Sequence, residues 1–297
     1  MKFNKITIID DTKIPKLVLD TIAEHSKEMI VFDNDPTPEE VINRIGNSDC
    51  IMLTWRTPIT KSVLDKCNLK LICLCATNSN CIDLEECTKK GITISNVSDY
   101  GDEGVVEFVL CQLLNLVRGF GKYKLDKIPC ELSNKTIGIL GMGTVGKLLA
   151  KACLGMNMKV LYYDLKRDYN IEKLGVLYNE KTDLLIESDF IVLQTPKNIK
   201  VLDKTDFKKM KGKVLVNTTI GNAFDEDDFI NWISQPNNFA IMDQAPGFAS
   251  KFKDLQRVVI SSGVSGITRE ARVRLGEKAK ENIIAYLKGE PINKINK

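Results

Sequence analysis

The 297-residue chain holds a single histidine, His25. Any site built on two imidazoles is therefore excluded at the outset. Nine cysteines are present, an odd number, and seven of them (Cys50, Cys67, Cys73, Cys75, Cys81, Cys87 and Cys111) crowd into residues 50–111. No two stand in C-x₂-C spacing, so they read as small thiols of a reducing compartment rather than as metal ligands. No metal site is expected. Glycine and proline are sparse, at 19 and 9 residues, which excludes a collagen-like or low-complexity chain. A surplus of one charge is missing as well. The 42 Lys+Arg against 39 Asp+Glu leave only +3, too little to suggest a nucleic-acid partner. No apolar run approaches the ~18 residues of a membrane span. The most apolar helical stretch, residues 105–117, is broken by Glu107, Gln112 and Asn115. The opening MKFNKIT has no apolar signal core. The expectation is a soluble, cytoplasmic protein of about two domains, at roughly 150 residues each.

What is present is an alternation of short β-branched runs and helix-period segments, the pattern of parallel sheets covered by helices. In the first third, strands are predicted at 6–9, 29–32, 51–53, 71–74 and 92–95. Thr37-Pro38-Glu39-Glu40 predicts a helix capped by Thr37, with proline at its first position. Asp83 to Glu86 predicts another, which Gly91 can end in the left-handed conformation. Near residue 100 the pattern becomes one long helix, with Val105, Val106, Val109, Leu113, Leu116 and Val117 at three- and four-residue spacing. A second series follows, with strands predicted at 136–140, 159–163, 175–178, 190–194, 214–217, 240–243 and 257–261. The stretch 268–289 reads as a long helix with a charged face.

The strongest local signal is TIGILGMGTVG at 136–146. A strand leads into G-x-G-x-x-G and an apolar helix follows. Gly141 permits the tight turn, Gly143 lets the backbone approach a pyrophosphate, and Gly146 lets helix and strand pack closely. The N–H groups of Thr144 and Val145 at the helix start then face the negative charge. Asp164 ends the next strand, 18 residues after Gly146, where a carboxylate can accept both ribose hydroxyls. That acid disfavours a 2′-phosphate, so NAD is expected over NADP, with Lys166 and Arg167 moderating the preference.

With these residues in place the chain resembles the D-isomer-specific 2-hydroxyacid dehydrogenase family over nearly its whole length. Thr57-Pro-Ile-Thr60, Leu69 to Ile72 and Ala76 to Asp83 are similar to that family's substrate domain. Val106-Glu107, Ser188 to Pro196, Val214 to Thr218 and Glu281 to Pro291 match later elements in order and spacing. The resemblance implies an α/β chain of two Rossmann-like domains with parallel sheets and a cleft between them holding a small-molecule ligand. Residues 1–98 would form a flavodoxin-like substrate domain completed by the helix at 268–297, and residues 99–267 the NAD-binding domain. It also implies that Thr195, Pro196, Thr218, Thr219 and Asp243 line the cofactor.

The family's reactive groups are not where the resemblance implies them. An arginine should follow the strand that ends Asn217-Thr218, but Ile220 stands there. A glutamate should lie a few residues beyond Asp243, yet no acid occurs before Asp254. The proton-carrying histidine should fall at Gly263, and His25 belongs to the first domain. Arg56, Tyr100, Asp102, Lys197 and Lys200 are the polar groups left as substitutes, each otherwise ordinary surface or capping. The reading is an NAD-binding oxidoreductase with altered chemistry or substrate, poor on ordinary 2-keto acids. The alternative is a non-catalytic NAD(H)-binding sensor or partner-binding protein. The segment between Arg118 and Lys135 is short for the family, so a homodimer with a reduced interface is expected.

Overall fold

A computed structural model describes residues 1–243, 249–261 and 263–296. The chain divides into two units, Met1–Tyr100 with Thr268–Lys297, and Gly101–Ile267. The first begins β1 (Phe3–Ile8), α1 (Lys16–Ala23), β2 (Ser26–Val31), α2 (Glu40–Ile45), β3 (Cys50–Leu53) and α3 (Lys61–Leu64). It continues β4 (Leu71–Leu74), α4 (Leu84–Lys89) and β5 (Thr93–Asn96). Its sheet is wholly parallel, in the order β2-β1-β3-β4-β5. CIML in β3 and LICL in β4 are unbroken apolar runs because helices cover both faces of a parallel sheet. Ile51, Leu53, Ile72 and Leu74 fill one face. Cys50, Met52, Leu71 and Cys73 fill the other.

The second unit starts with α5 (Asp102–Arg118), β6 (Thr136–Leu140), α6 (Thr144–Gly155), β7 (Lys159–Tyr163), α7 (Tyr169–Glu172) and β8 (Leu177–Tyr178). Then come α8 (Lys181–Glu187), β9 (Phe190–Leu193), α9 (Lys204–Phe207), β10 (Val214–Asn217), α10 (Glu226–Ser234), β11 (Phe239–Met242) and β12 (Val258–Ile260). The sheet order is β12-β11-β10-β9-β6-β7-β8, again parallel. The chain moves outward from β6 to β8, then returns to β9 on the other side of β6. That reversal opens a crevice at the carboxyl ends of β6 and β9, where ligands of such sheets bind. Helix α5 supplies Val109, Leu113 and Val117 to the core on one face, against Leu149 and Cys153 of α6. Each fully buried aliphatic of this kind contributes roughly 1.5–3 kcal/mol.

The chain then returns to the first unit as α11 (Arg269–Leu287). The Thr268 hydroxyl accepts the Ala271 N–H at 3.0 Å and caps it. Leu275, Ala279 and Ile283 of this helix pack with Val18 and Ile22 of α1 over the β3–β4 face.

The two-domain α/β fold with parallel sheets is as expected, and local details differ. Helix α2 starts at Glu40, and no side chain caps it. Only the reverse half of the anticipated box forms, the Glu40 carboxylate accepting the Thr37 N–H at 3.0 Å. Around α4 both signals hold: Asp83 accepts the Glu86 N–H at 3.0 Å, and Gly91 has φ 69°. The strand at 175–178 shrinks to Leu177–Tyr178 because Gly175, at φ 101°, is turning. The thiols are mixed in setting, with Cys50, Cys73, Cys75, Cys87 and Cys153 buried and Cys111 exposed. Among the described residues no helix is long and apolar enough to cross a membrane.

Candidate functional site

The glycine loop of the second unit has the geometry its sequence requires. β6 ends at Leu140, and Gly141 turns at φ 104° while donating its N–H to the Tyr163 carbonyl at 2.9 Å. A Cβ at Gly141 would collide with the Gln194 carbonyl, and one at Gly146 with the carbonyl of Gly141. At Gly143, by contrast, nothing lies within 4 Å of that direction. No side chain caps α6, which begins at Thr144 and Val145. Its free N–H groups and partial positive charge suit a phosphate. Asp164, just past β7, reaches back so that its Oδ2 accepts the Met142 N–H at 2.6 Å.

On the far side of the reversal, the ends of β9, β10 and β11 carry a linked set of polar groups. Gln194 Nε2 donates to the Thr218 hydroxyl at 2.8 Å. Thr219 donates its N–H and hydroxyl to Asn217 Oδ1 at 3.1 and 2.7 Å. Asp243 is 5 % exposed and accepts the N–H and hydroxyl of Ser265 at 3.1 and 2.6 Å. Next to them the Thr195 hydroxyl is buried with no hydrogen-bond partner among the described residues. A buried hydroxyl left unpaired costs about 1–3 kcal/mol, so this one calls for an outside acceptor or donor. The bare helix terminus, the open Gly143 and the orphaned Thr195 fit a nicotinamide dinucleotide.

Past Asp164 lies a second network. Arg167 Nε and Nη2 donate to the two Glu172 oxygens at 3.1 and 2.6 Å, and the Tyr162 hydroxyl donates to Glu172 Oε1 at 2.7 Å. The guanidinium, with the phenol's help, holds the Glu172 carboxyl below its usual range. Burial, reinforced by that carboxylate, pushes the Tyr162 phenol up to about 12. Lys147 pairs with Asp168 at 2.6 Å and holds that carboxyl low as well.

The positions of the expected reactive groups look different. Ile220 sits in the loop after β10, 52 % exposed, its carbonyl accepting the Asn198 N–H at 3.1 Å. Gly263 borders a cavity of ≈ 430 Å³ lined by Gly104, Glu107, Phe108, Cys111 and Gln112 of α5 and by Ser261, Val264 and Ser265. Among the described residues no cationic side chain lines it. The expected glutamate position falls at 244–248, outside the described residues. His25 follows α1 in the first unit, its carbonyl accepting the Phe3 N–H at 3.0 Å. Arg56, a candidate anchor, is engaged: Nε and Nη2 hold Asp35 at 2.8 and 3.0 Å, and Nη2 also donates to the Asp11 carbonyl at 2.6 Å. Tyr100 packs against the first unit's core, and its carbonyl takes the Arg274 Nε–H at 2.9 Å. Asp102 lies in the first turn of α5. Pro196 and Lys197 are exposed, and Lys200 stands 3.8 Å from Asp225. Among the described residues no group of His, Cys, Asp or Glu is placed to hold a metal.

Sequence reasoning passed over Gln194, Ser265 and Glu172. Gln194 was readable as the polar residue ending an apolar strand. Ser265 and Glu172 carried no signal, because their partners are 22 and five residues away and only the fold joins them.

Comparisons with known proteins show the family to which the chain belongs. Residues 6–296 match the family described as D-isomer specific 2-hydroxyacid dehydrogenase, catalytic domain. A hydroxypyruvate reductase of Blautia hydrogenotrophica is 30 % identical over 91 % of this chain and 92 % of its own length. An acyclic imino acid reductase, solved with NADPH and D-Arg, is 29 % identical, covers 98 % of this chain and 99 % of its own, and superposes with a TM-score of 0.83. Apo D-lactate dehydrogenase from Escherichia coli shares the fold at 22 % identity and a TM-score of 0.85, covering 98 % of this chain and 99 % of its own. The chain belongs to the D-isomer-specific 2-hydroxyacid dehydrogenase family, whose members are nicotinamide-dependent oxidoreductases.

Proposed function

We propose that this oxidoreductase acts on a substrate that brings its own positive charge and proton, an iminium, in preference to a simple 2-keto acid. NAD(H) is its preferred cofactor over NADP(H). The second unit would hold the dinucleotide through the glycine loop, Thr144, Val145 and Asp164, with Thr195, Thr218, Thr219 and Asp243 toward the nicotinamide. When bound, the nicotinamide supplies or accepts a hydride.

The observation that carries this reading is the cavity beside Gly263. Its lining includes a carboxylate, Glu107, and among the described residues no cationic side chain. A ketone accepting hydride builds an oxyanion, which needs a donor and a proton. Ile220 and Gly263 offer neither. A protonated imine becomes a neutral amine instead, so no acid on the chain is required. An anionic cavity wall also favours a cation by ordinary Coulomb attraction. The likeness to an acyclic imino acid reductase supports this reading.

The test is NADH oxidation with pyruvate alone and with pyruvate plus methylamine. The mixture should react at least about a hundredfold faster and yield N-methylalanine. Ordinary turnover on pyruvate, glyoxylate or hydroxypyruvate alone would overturn the reading. Tight NADH binding without turnover on either would instead favour a sensor. Phe120 and Ile128, both exposed in the short segment after α5, support a homodimer with a reduced interface, which sedimentation would test.

A further inference from the structure

We propose that Glu172 sets the cofactor preference by withholding Arg167 from the ribose end of the dinucleotide. This rests on the reading that the glycine loop and Asp164 receive that cofactor. A 2′-phosphate adds strong negative charge next to Asp164, and a guanidinium close by is what makes it acceptable. The loop after β7 carries one guanidinium, Arg167, three residues beyond Asp164. It is already gripped. Two parallel N–H donors meet the two Glu172 oxygens at 3.1 and 2.6 Å, the bidentate geometry that makes such pairs strong. The Tyr178 and Tyr169 rings lie 4.8 and 5.3 Å from the guanidinium carbon. Tyr162 fixes Glu172 from behind through its hydroxyl, and that same hydroxyl accepts the Asp168 N–H at 2.8 Å. In α6, Lys147 is committed to Asp168 in the same way. The region therefore contains cations enough for a 2′-phosphate, but the charges of Arg167 and Lys147 are neutralised by Glu172 and Asp168.

Calorimetric titration of NADH and NADPH into the wild type and three variants tests the assignment. Glu172→Gln keeps a partner for Tyr162 but frees the Arg167 charge. NADPH should then bind about tenfold more tightly, with NADH unchanged within about twofold. Adding Arg167→Ala to Glu172→Gln should abolish the gain, whereas adding Lys166→Ala should leave most of it. Arg167→Ala alone should leave the affinity for NADPH unaltered, a comparison that holds even if Glu172→Gln fails to fold. An unchanged NADPH-to-NADH ratio in Glu172→Gln, or weaker NADPH binding in Arg167→Ala alone, would overturn the proposal. A wild type that binds neither dinucleotide would overturn the underlying cofactor reading instead.

Discussion

The Asp164 carboxylate and the Met142 N–H meet at 2.6 Å, tying the end of β7 to the tip of the glycine loop. One oxygen thus shapes the loop. Asp164→Ala should weaken NADH binding roughly tenfold, as expected for losing a charged hydrogen-bond acceptor. It should also narrow the gap to NADPH, because a like charge beside the 2′-phosphate is gone. Calorimetry that finds NADPH bound at least as tightly as NADH by the wild type would refute the NAD preference.

Gly141 has no substitute. It turns at φ 104°, and a Cβ would meet the Gln194 carbonyl. Gly141→Ala is expected to destabilise the second unit by more than about 2 kcal/mol, since strain and collision add. Scanning calorimetry should show a lowered transition for that unit, along with lost NADH binding. A transition at the wild-type temperature would contradict the collision.

Ile220→Arg alone should raise pyruvate reduction less than about tenfold. The arginine would restore a carboxylate anchor, but position 263 would still offer no proton. His25→Gln should leave any turnover and its pH profile unchanged, because His25 follows α1 in the first unit, whereas the cofactor residues named above belong to the second. A pH profile that shifted in His25→Gln would show that the imidazole does take part.

Asp49 gives the first unit an acid-sensitive tie. Burial works to raise its carboxyl, but the N–H groups of Lys5 and Asn4 and the Lys70 ammonium outweigh it and hold it below 3.8. A depressed carboxyl stabilises the fold above the unfolded value, and that contribution is lost as pH falls through the folded one. Thermal stability should therefore fall as pH drops below about 4, and less so in Asp49→Asn. That variant should cost about 1–3 kcal/mol at neutral pH.

Much of this was legible because parallel sheets write themselves plainly. β3, β9 and β10 are four-residue buried runs bounded by polar residues, and the Gly141–Gly146 pattern marks the reversal in strand order. Helix starts were less legible. Thr37 offers a cap, yet the first turn is won by Glu40, which bridges the Thr37 N–H and Arg44. The Gln194–Thr218 and Asp243–Ser265 pairs could not be read, because they join residues 24 and 22 positions apart. Arg56 showed the reverse failure. It looked available from the sequence, but Asp35, 21 residues away, already holds it.

The first unit is assembled from two distant stretches of chain, whereas the second is continuous. The β3–β4 face of the first sheet needs Leu275, Ala279 and Ile283 of α11 to be covered. A ribosome adding roughly 5–20 residues per second exposes the whole second unit before that helix emerges. The later unit can therefore complete its fold first, while the earlier one still has Met52, Leu71 and Cys73 unshielded by α11. A nascent chain halted before Arg269 would carry a finished second unit on an apolar, open first sheet. Such a halted chain should bind a chaperone more readily than the full-length protein does.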